Sequence, residues 1–135
     1  MEDKRSVMEN FELGTVYLVG NDLLDAQHKV VLSYMAQLYA QASAGKPEKK
    51  VFELIDRLET CCKLHFLDEE GLLDEIKFTD TDKHKAQHAL FMVHLENFVG
   101  RYQERETSRN LEELVFLKDW FLVHIEEFDR KYAEF

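Results

Sequence analysis

The chain has 135 residues, of which 45% are hydrophobic and 33% charged, and its formal net charge is −10. That length sustains one domain with a substantial core, and this balance of apolar and charged residues excludes a disordered chain. The acidic excess excludes a nucleic-acid or anionic-membrane partner, since both demand clustered Lys and Arg, and no apolar run approaches the ~20 residues of a membrane span.

The N-terminal MEDKRSVMENFELG has charges but no apolar stretch, so no secretory signal is expected and the expected compartment is the cytoplasm. Residues 1–20 follow no helical period; Phe11, Val16, Tyr17 and Val19 predict an arm packed on the rest of the chain. Four stretches with the 3.6-residue period of an amphipathic helix come next. The first carries Leu24, His28, Val31, Met35, Leu38 and Ala42 on one face, and ends in QASAGKPEKK. There Gly45 can stop one helix and Pro47 can sit in the first turn of the next.

The second stripe is Val51, Ile55, Leu58, Cys62, His65, Glu69, Leu72 and Ile76. KFTDTDK interrupts it, with Thr79 to Asp82 offering N-cap oxygens. The third is His84, His88, Phe91, Leu95, Phe98 and Tyr102, followed by RETSRN with capping candidates Thr107, Ser108 and Asn110. The fourth is Leu114, Leu117, Phe121, His124 and Phe128. A single proline and five glycines give too little punctuation for an all-β chain. Four helices of roughly 22 to 28 residues with short connectors predict an all-α fold. It is an up-down-up-down four-helix bundle over residues 21–133, with an N-terminal arm over 1–20, in a single domain spanning 1–135.

Five of the six histidines fall on the inward faces of these stripes, together with Glu69 and Asp129. A lone inward histidine is ordinarily a core residue satisfied by one hydrogen bond. Seven inward polar groups are different, because an unpaired buried carboxylate alone costs several kcal/mol. A pair of metal ions would partner all seven, and histidine is the commonest metal ligand. His65 and Glu69 are i, i+4, as are His84 and His88, so each pair projects from one helix face. His124 and Asp129 are i, i+5, about 140° apart on a regular α-helix. For both to reach one site the helix must bulge near Phe128, as π-helical turns do.

His94 stands off its stripe by about 100° and is read as a surface residue. Glu70, adjacent to Glu69, cannot share its face and is expected either to support a ligand from behind or to be solvated. Cys61 and Cys62 are adjacent and form no ordinary cross-link. Cys61 could join His65 in a soft C-x3-H site, but the simpler reading is two thiols, one filling the core.

The segments YLVGNDLLDAQHK, HFLDEEGLL, HKAQHALF and LKDWFLVHIEEFD, around His28, His65 to Glu70, His84 with His88, and His124 with Asp129, resemble the hemerythrin family, more closely its single-domain bacterial members. The resemblance covers Tyr17 to Asp129, and all seven ligand positions match in order and spacing. It implies a non-haem di-iron centre that binds dioxygen reversibly. His84, His88 and His124 would hold one iron; His28 and His65 would hold the other, which keeps a vacant position. Glu69 and Asp129 would bridge the two, with a solvent-derived oxo or hydroxo group. Val31, Trp120 and Phe121 would wall the pocket at the vacant position.

Imidazole suits iron, and two shared carboxylates leave the two-histidine ion a ligand short. Carboxylate-rich di-iron bundles use Glu-x-x-His pairs, which the stripes lack. A histidine-rich site stabilises high-valent iron less, which favours reversible binding over oxygen activation. Two departures from the family pattern stand out. Phe78-Thr79 replaces the usual aromatic-proline pair, predicting a looser loop, and Phe121 replaces the usual leucine three residues before His124, predicting a narrower pocket.

Two function classes follow: an oxygen carrier or store that is not an enzyme, or a di-iron oxidoreductase or sensor handling peroxide or nitric oxide. A sensor needs an output domain and an enzyme a proton donor; no Tyr, Glu or Lys beyond the ligands stands beside them on the stripes, with Tyr34, Tyr39 and Tyr102 a turn or more away. The carrier is therefore the expected function, with dioxygen as partner, no nucleic acid and no membrane, in a monomer or a homo-oligomer. A structural zinc site wants four closed ligands and fits the seven poorly.

Overall fold

In the computed structural model of the chain, residues 17–45, 48–102 and 106–135 are described. Four long helices follow one another: α1 Asp22–Ser43, α2 Glu48–Ile76, α3 Thr81–Arg101 and α4 Thr107–His124. The last runs on through a π-helical turn, Ile125–Asp129, into α5, Arg130–Ala133. α1 and α3 each pack against both α2 and α4, so the chain runs up, down, up and down around a shared interior. Among the described residues there is no strand, and no helix is long and apolar enough to cross a membrane.

The apolar stripes account for the packing. α1 buries Leu24, Val31, Met35, Leu38 and Ala42, with Leu32 added at the flank. α3 buries Phe91, Leu95 and Phe98 below its two histidines, and Tyr102 is only half-buried. α4 buries Leu114, Leu117 and Phe121. Each such side chain contributes about 1.5–3 kcal/mol by leaving water. Cys62 fills the core and Cys61 is half-buried; both thiols are free.

The second stripe departs from expectation at its end, where Leu73 is buried, Leu72 is half-buried and Ile76 is exposed. The helix terminus is the reason. Lys77 adopts a left-handed φ of 55°. Its N–H donates to the Asp74 carbonyl at 3.3 Å, and the Phe78 N–H to the Leu73 carbonyl at 3.1 Å. This is the Schellman closure, and it folds Phe78 back onto Leu73. Phe78 is buried, its ring edge-on to Tyr132 and Phe135. The loop after α2 is thus anchored, not loosened, by the aromatic residue that lacks a following proline.

Leu24, Leu73, Phe78 and Tyr132 form a small apolar cluster separate from the main core. Along α1 and α2 the inward histidines lie between those two clusters, as a polar layer bounded by both.

Gly45, at φ 63°, closes α1 as expected, whereas Pro47 and the arm residues Phe11 and Val16 lie outside the described residues. Tyr17 and Val19 do pack against the main core. Asn21 Oδ1 accepts from the Leu24 N–H at 3.0 Å, and the Asp25 carboxylate accepts from the Val19 and Gly20 N–H groups at 2.8 and 3.2 Å. The other caps differ from expectation. Asp80 and Glu106 precede α3 and α4 without a side-chain cap. Thr81 Oγ1 donates to the Phe78 carbonyl at 2.6 Å, and Asn110 Nδ2 to the Tyr102 carbonyl at 2.9 Å. These polar groups tie down the connectors instead of capping helices.

Candidate metal centre

α1 supplies His28, α2 supplies His65 and Glu69, α3 supplies His84 and His88, and α4 supplies His124. Asp129 comes from the π-helical turn. The wider turn brings i and i+5 onto one face, where a regular α-helix would hold them apart. This is the irregularity that the His124–Asp129 interval predicts, and it includes Phe128.

The side chains gather in two groups that share their carboxylates. Ligand-type atoms of His28, His65, Glu69 and Asp129 lie within 4.8 Å of one another, and so do those of Glu69, His84, His88, His124 and Asp129. All seven residues are buried. Glu69 turns Oε1 toward His84 and His88, at 2.7 and 2.9 Å from their Nε2 atoms. It turns Oε2 toward His65 and His28, at 3.5 and 3.7 Å. Asp129 divides in the same way: Oδ1 is 2.9 Å from His84 Nε2 and 3.1 Å from His124 Nε2, and Oδ2 is 3.2 Å from His28 Nε2. Each carboxylate therefore offers one oxygen to each group.

Two of the histidines have their tautomer set from outside. Glu70 can only accept, so His88 Nδ1 donates to Glu70 Oε2 at 2.7 Å and turns Nε2 inward. Asp68 also only accepts, so Gln27 Nε2 donates to Asp68 Oδ2 at 2.7 Å. The amide oxygen must then face His65, whose Nδ1 donates to it at 2.8 Å. Imidazole nitrogens thus face carboxylate oxygens across the interior, and something positive must lie between them.

Protons meet part of that need. Burial works against charge on His28 and His84, yet the Asp129 and Glu69 carboxylates outweigh it and hold both imidazoles up to about 9. Burial likewise opposes ionisation of Glu69, and the surrounding histidines overcome it, keeping that carboxyl well below its ordinary range. Asp129 is depressed too, despite burial and the neighbouring Glu69, by His124, His28 and His84. His65 goes the other way, lowered by burial to about 4, and burial also lowers His124. The carboxylates thus favour protonation of His28 and His84, the direction that offsets their own charge.

Those protons do not complete the site. Both ring nitrogens of His28 and of His124, and both oxygens of Asp129, are buried and make no hydrogen bond within the protein. Such orphans are rare in folded proteins. Neighbouring ligands of an octahedral ion with bonds of about 2.1 Å stand about 3 Å apart, close to the nitrogen–oxygen separations around Asp129. The residues fit a pair of cations.

Aromatic rings enclose the layer. His124 stacks with Trp120 and Phe128, at 5.2 and 5.3 Å between centroids, and Phe66 stacks on His88 at 4.0 Å. Phe121, wholly buried, stands edge-on to His28 at 5.6 Å and to His65 at 6.1 Å. Of the three residues expected around the two-histidine position, Phe121 is the one whose ring lies against both histidines. Val31 is buried in the core one turn from His28, and Trp120 sits against His124, in the three-histidine group. His94 is off the site, edge-on to Phe116.

Sequence reasoning missed Tyr132. Its hydroxyl donates to Glu69 Oε2 at 3.1 Å, and its ring lies 5.7 Å from that of His84. The expectation that no tyrosine stands beside the ligands is thereby corrected. Read at the 3.6-residue period, the fourth stripe continues past Phe128 to Tyr132, a step the sequence reading left out. Its position three residues after Asp129 was the available signal. Gln27 was missed as well, and only its place next to His28 hinted at it.

A hemerythrin HHE cation-binding domain family matches residues 19–135. Among curated proteins, a hemerythrin-like protein of Naegleria gruberi is 27% identical over 122 residues, covering 90% of this chain and 90% of the relative. A bacteriohemerythrin of Stenotrophomonas maltophilia is 28% identical over 116 residues, 86% of this chain and 74% of its own length. A bacteriohemerythrin of Aquifex aeolicus is 31% identical over 124 residues, 88% of this chain and 92% of its own length. No solved structure gives a significant match. With the family match running from Val19 to the C-terminus, the chain belongs to the hemerythrin family.

Proposed function

We propose that this protein binds dioxygen reversibly at two iron ions, with His84, His88 and His124 on one, His28 and His65 on the other, and Glu69 and Asp129 shared. The observation that carries the reading is the unequal division of histidines, three against two, around carboxylates that each offer one oxygen to either side. When bound, iron supplies the redox and ligand-binding chemistry. The protein's own residues do the rest. Gln27 and Glu70 hold His65 and His88 with Nε2 inward. Phe121 bounds the two-histidine side, edge-on to both His28 and His65. Phe66 and Phe121, both buried against the histidines, help to exclude water and the protons it would carry.

A second reading, turnover of peroxide or nitric oxide by an oxidoreductase, draws on Tyr132, a phenol beside the site. Its hydroxyl is already given to Glu69, which favours the carrier. Metal analysis with variants tests the proposal. The unaltered protein is expected to hold two irons per chain and to bind oxygen reversibly. His28→Ala and His65→Ala should each lose one iron and all oxygen binding. Reversible binding retained in both variants overturns the assignment.

A further inference from the structure

His65 and His88 occupy comparable places in their groups, yet the groups behind them differ in charge. His88 Nδ1 donates to the carboxylate of Glu70 at 2.7 Å. His65 Nδ1 donates to the neutral amide of Gln27 at 2.8 Å, and the nearest carboxylate in that chain, Asp68, lies one hydrogen bond further out. An imidazole that gives its N–H to a carboxylate carries more negative charge on its other nitrogen and is a stronger donor to a cation. An amide partner fixes the same orientation with less of that effect.

We propose that Glu70 and Gln27 are positioning residues that make the two cation positions electrically unequal. Glu70, acting through His88, strengthens the three-histidine position; Gln27, acting through His65, leaves the two-histidine position the weaker and more electrophilic. The inference rests on the two-cation reading above. It adds that the difference between the positions is set by the partners behind the histidines as well as by the number of ligands. The geometry allows the two effects to be separated. Glu70→Gln keeps an oxygen to accept from His88 Nδ1 while its charge is gone. Gln27→Glu places a charge behind His65, and pairing it with Asp68→Asn avoids setting two carboxylates against each other.

Cobalt(II) titration of the metal-free protein, followed by visible absorption with a competing chelator, tests this directly. The unaltered protein should take up two cobalt ions in two steps. Glu70→Gln should weaken the tighter step about ten- to a hundredfold and leave the weaker step unchanged. Gln27→Glu with Asp68→Asn should tighten the weaker step about tenfold and leave the other unchanged. Loss of Glu70's charge should also raise the reduction potential of the iron-loaded protein, which a merely structural role would not do. If Glu70→Gln weakens neither step, or both equally, the inference is overturned while two-cation binding stands. If the unaltered protein binds fewer than two cobalt ions, the two-cation reading itself fails.

Discussion

Glu69 is the residue on which most of the site converges. His84, His88, His65 and His28 face its two oxygens, and Tyr132 adds a hydroxyl to Oε2. A hydrogen bond to a charged group in a closed interior contributes about 1.5–3 kcal/mol. Tyr132→Phe keeps the ring in its apolar cluster and removes only that bond. The metal-free variant should therefore lose about 1.5–3 kcal/mol of stability in urea unfolding; an unchanged midpoint would show that the hydroxyl does not hold Glu69. Most of the residues that could be read without the structure have a partner on their own helix, and His28, alone on α1, was read from its place on an apolar stripe. His65 with Glu69 and His84 with His88 declare themselves by interval. Gln27 and Tyr132 do not, because their partners are 38 and 63 residues away in the chain.

Two elements carry more than their stripes suggest. The π-turn brings Asp129 under His124 by accommodating one extra residue. Deleting the exposed Glu127 should restore a regular α-helix with the two ligands at i, i+4, still on one face, and metal stoichiometry should survive. Inserting an alanine after Glu126 should rotate Asp129 by about 100° and remove it from the site, with loss of bound metal. Equal damage from both changes would mean that the turn serves something other than aiming Asp129. At the end of α2, Lys77 occupies a left-handed position where glycine is usual. Lys77→Gly relieves the side-chain strain at some cost in chain entropy, so a gain of up to about 1 kcal/mol in thermal unfolding is expected. Helix periods were readable over most of each element and failed at the ends. There the backbone closure, not the period, decides that Leu73 turns inward and Ile76 outward.

For the whole molecule, the buried charges set how the metal-free fold responds to pH. His28 and His84 sit at about 9 against an ordinary 6.5, so the stabilisation they bring is complete below 6.5 and is lost as pH rises toward 9. His65, lowered to about 4, acts in the opposite sense and costs stability as pH falls from 6.5 toward 4. Glu69 and Asp129, both depressed, add to the loss on the acid side. The melting temperature of the metal-free protein should peak near pH 6–7 and fall on both sides. A melting temperature that climbs steadily to pH 9 would contradict the paired-charge account. The bundle was legible because four apolar stripes and short connectors admit few topologies. What periodicity could not supply is the division of each carboxylate between two groups, since that depends on how four helices meet.

The central claim, reversible oxygen binding at two irons, is tested most directly by oxygen uptake of the reduced, iron-loaded protein, measured together with its visible absorption. One oxygen molecule should be taken up per two irons, a charge-transfer band should appear with it, and both should reverse when oxygen is removed under vacuum. Oxygen consumed without recovery, or continuous consumption in the presence of a reductant, would contradict the carrier and point to turnover.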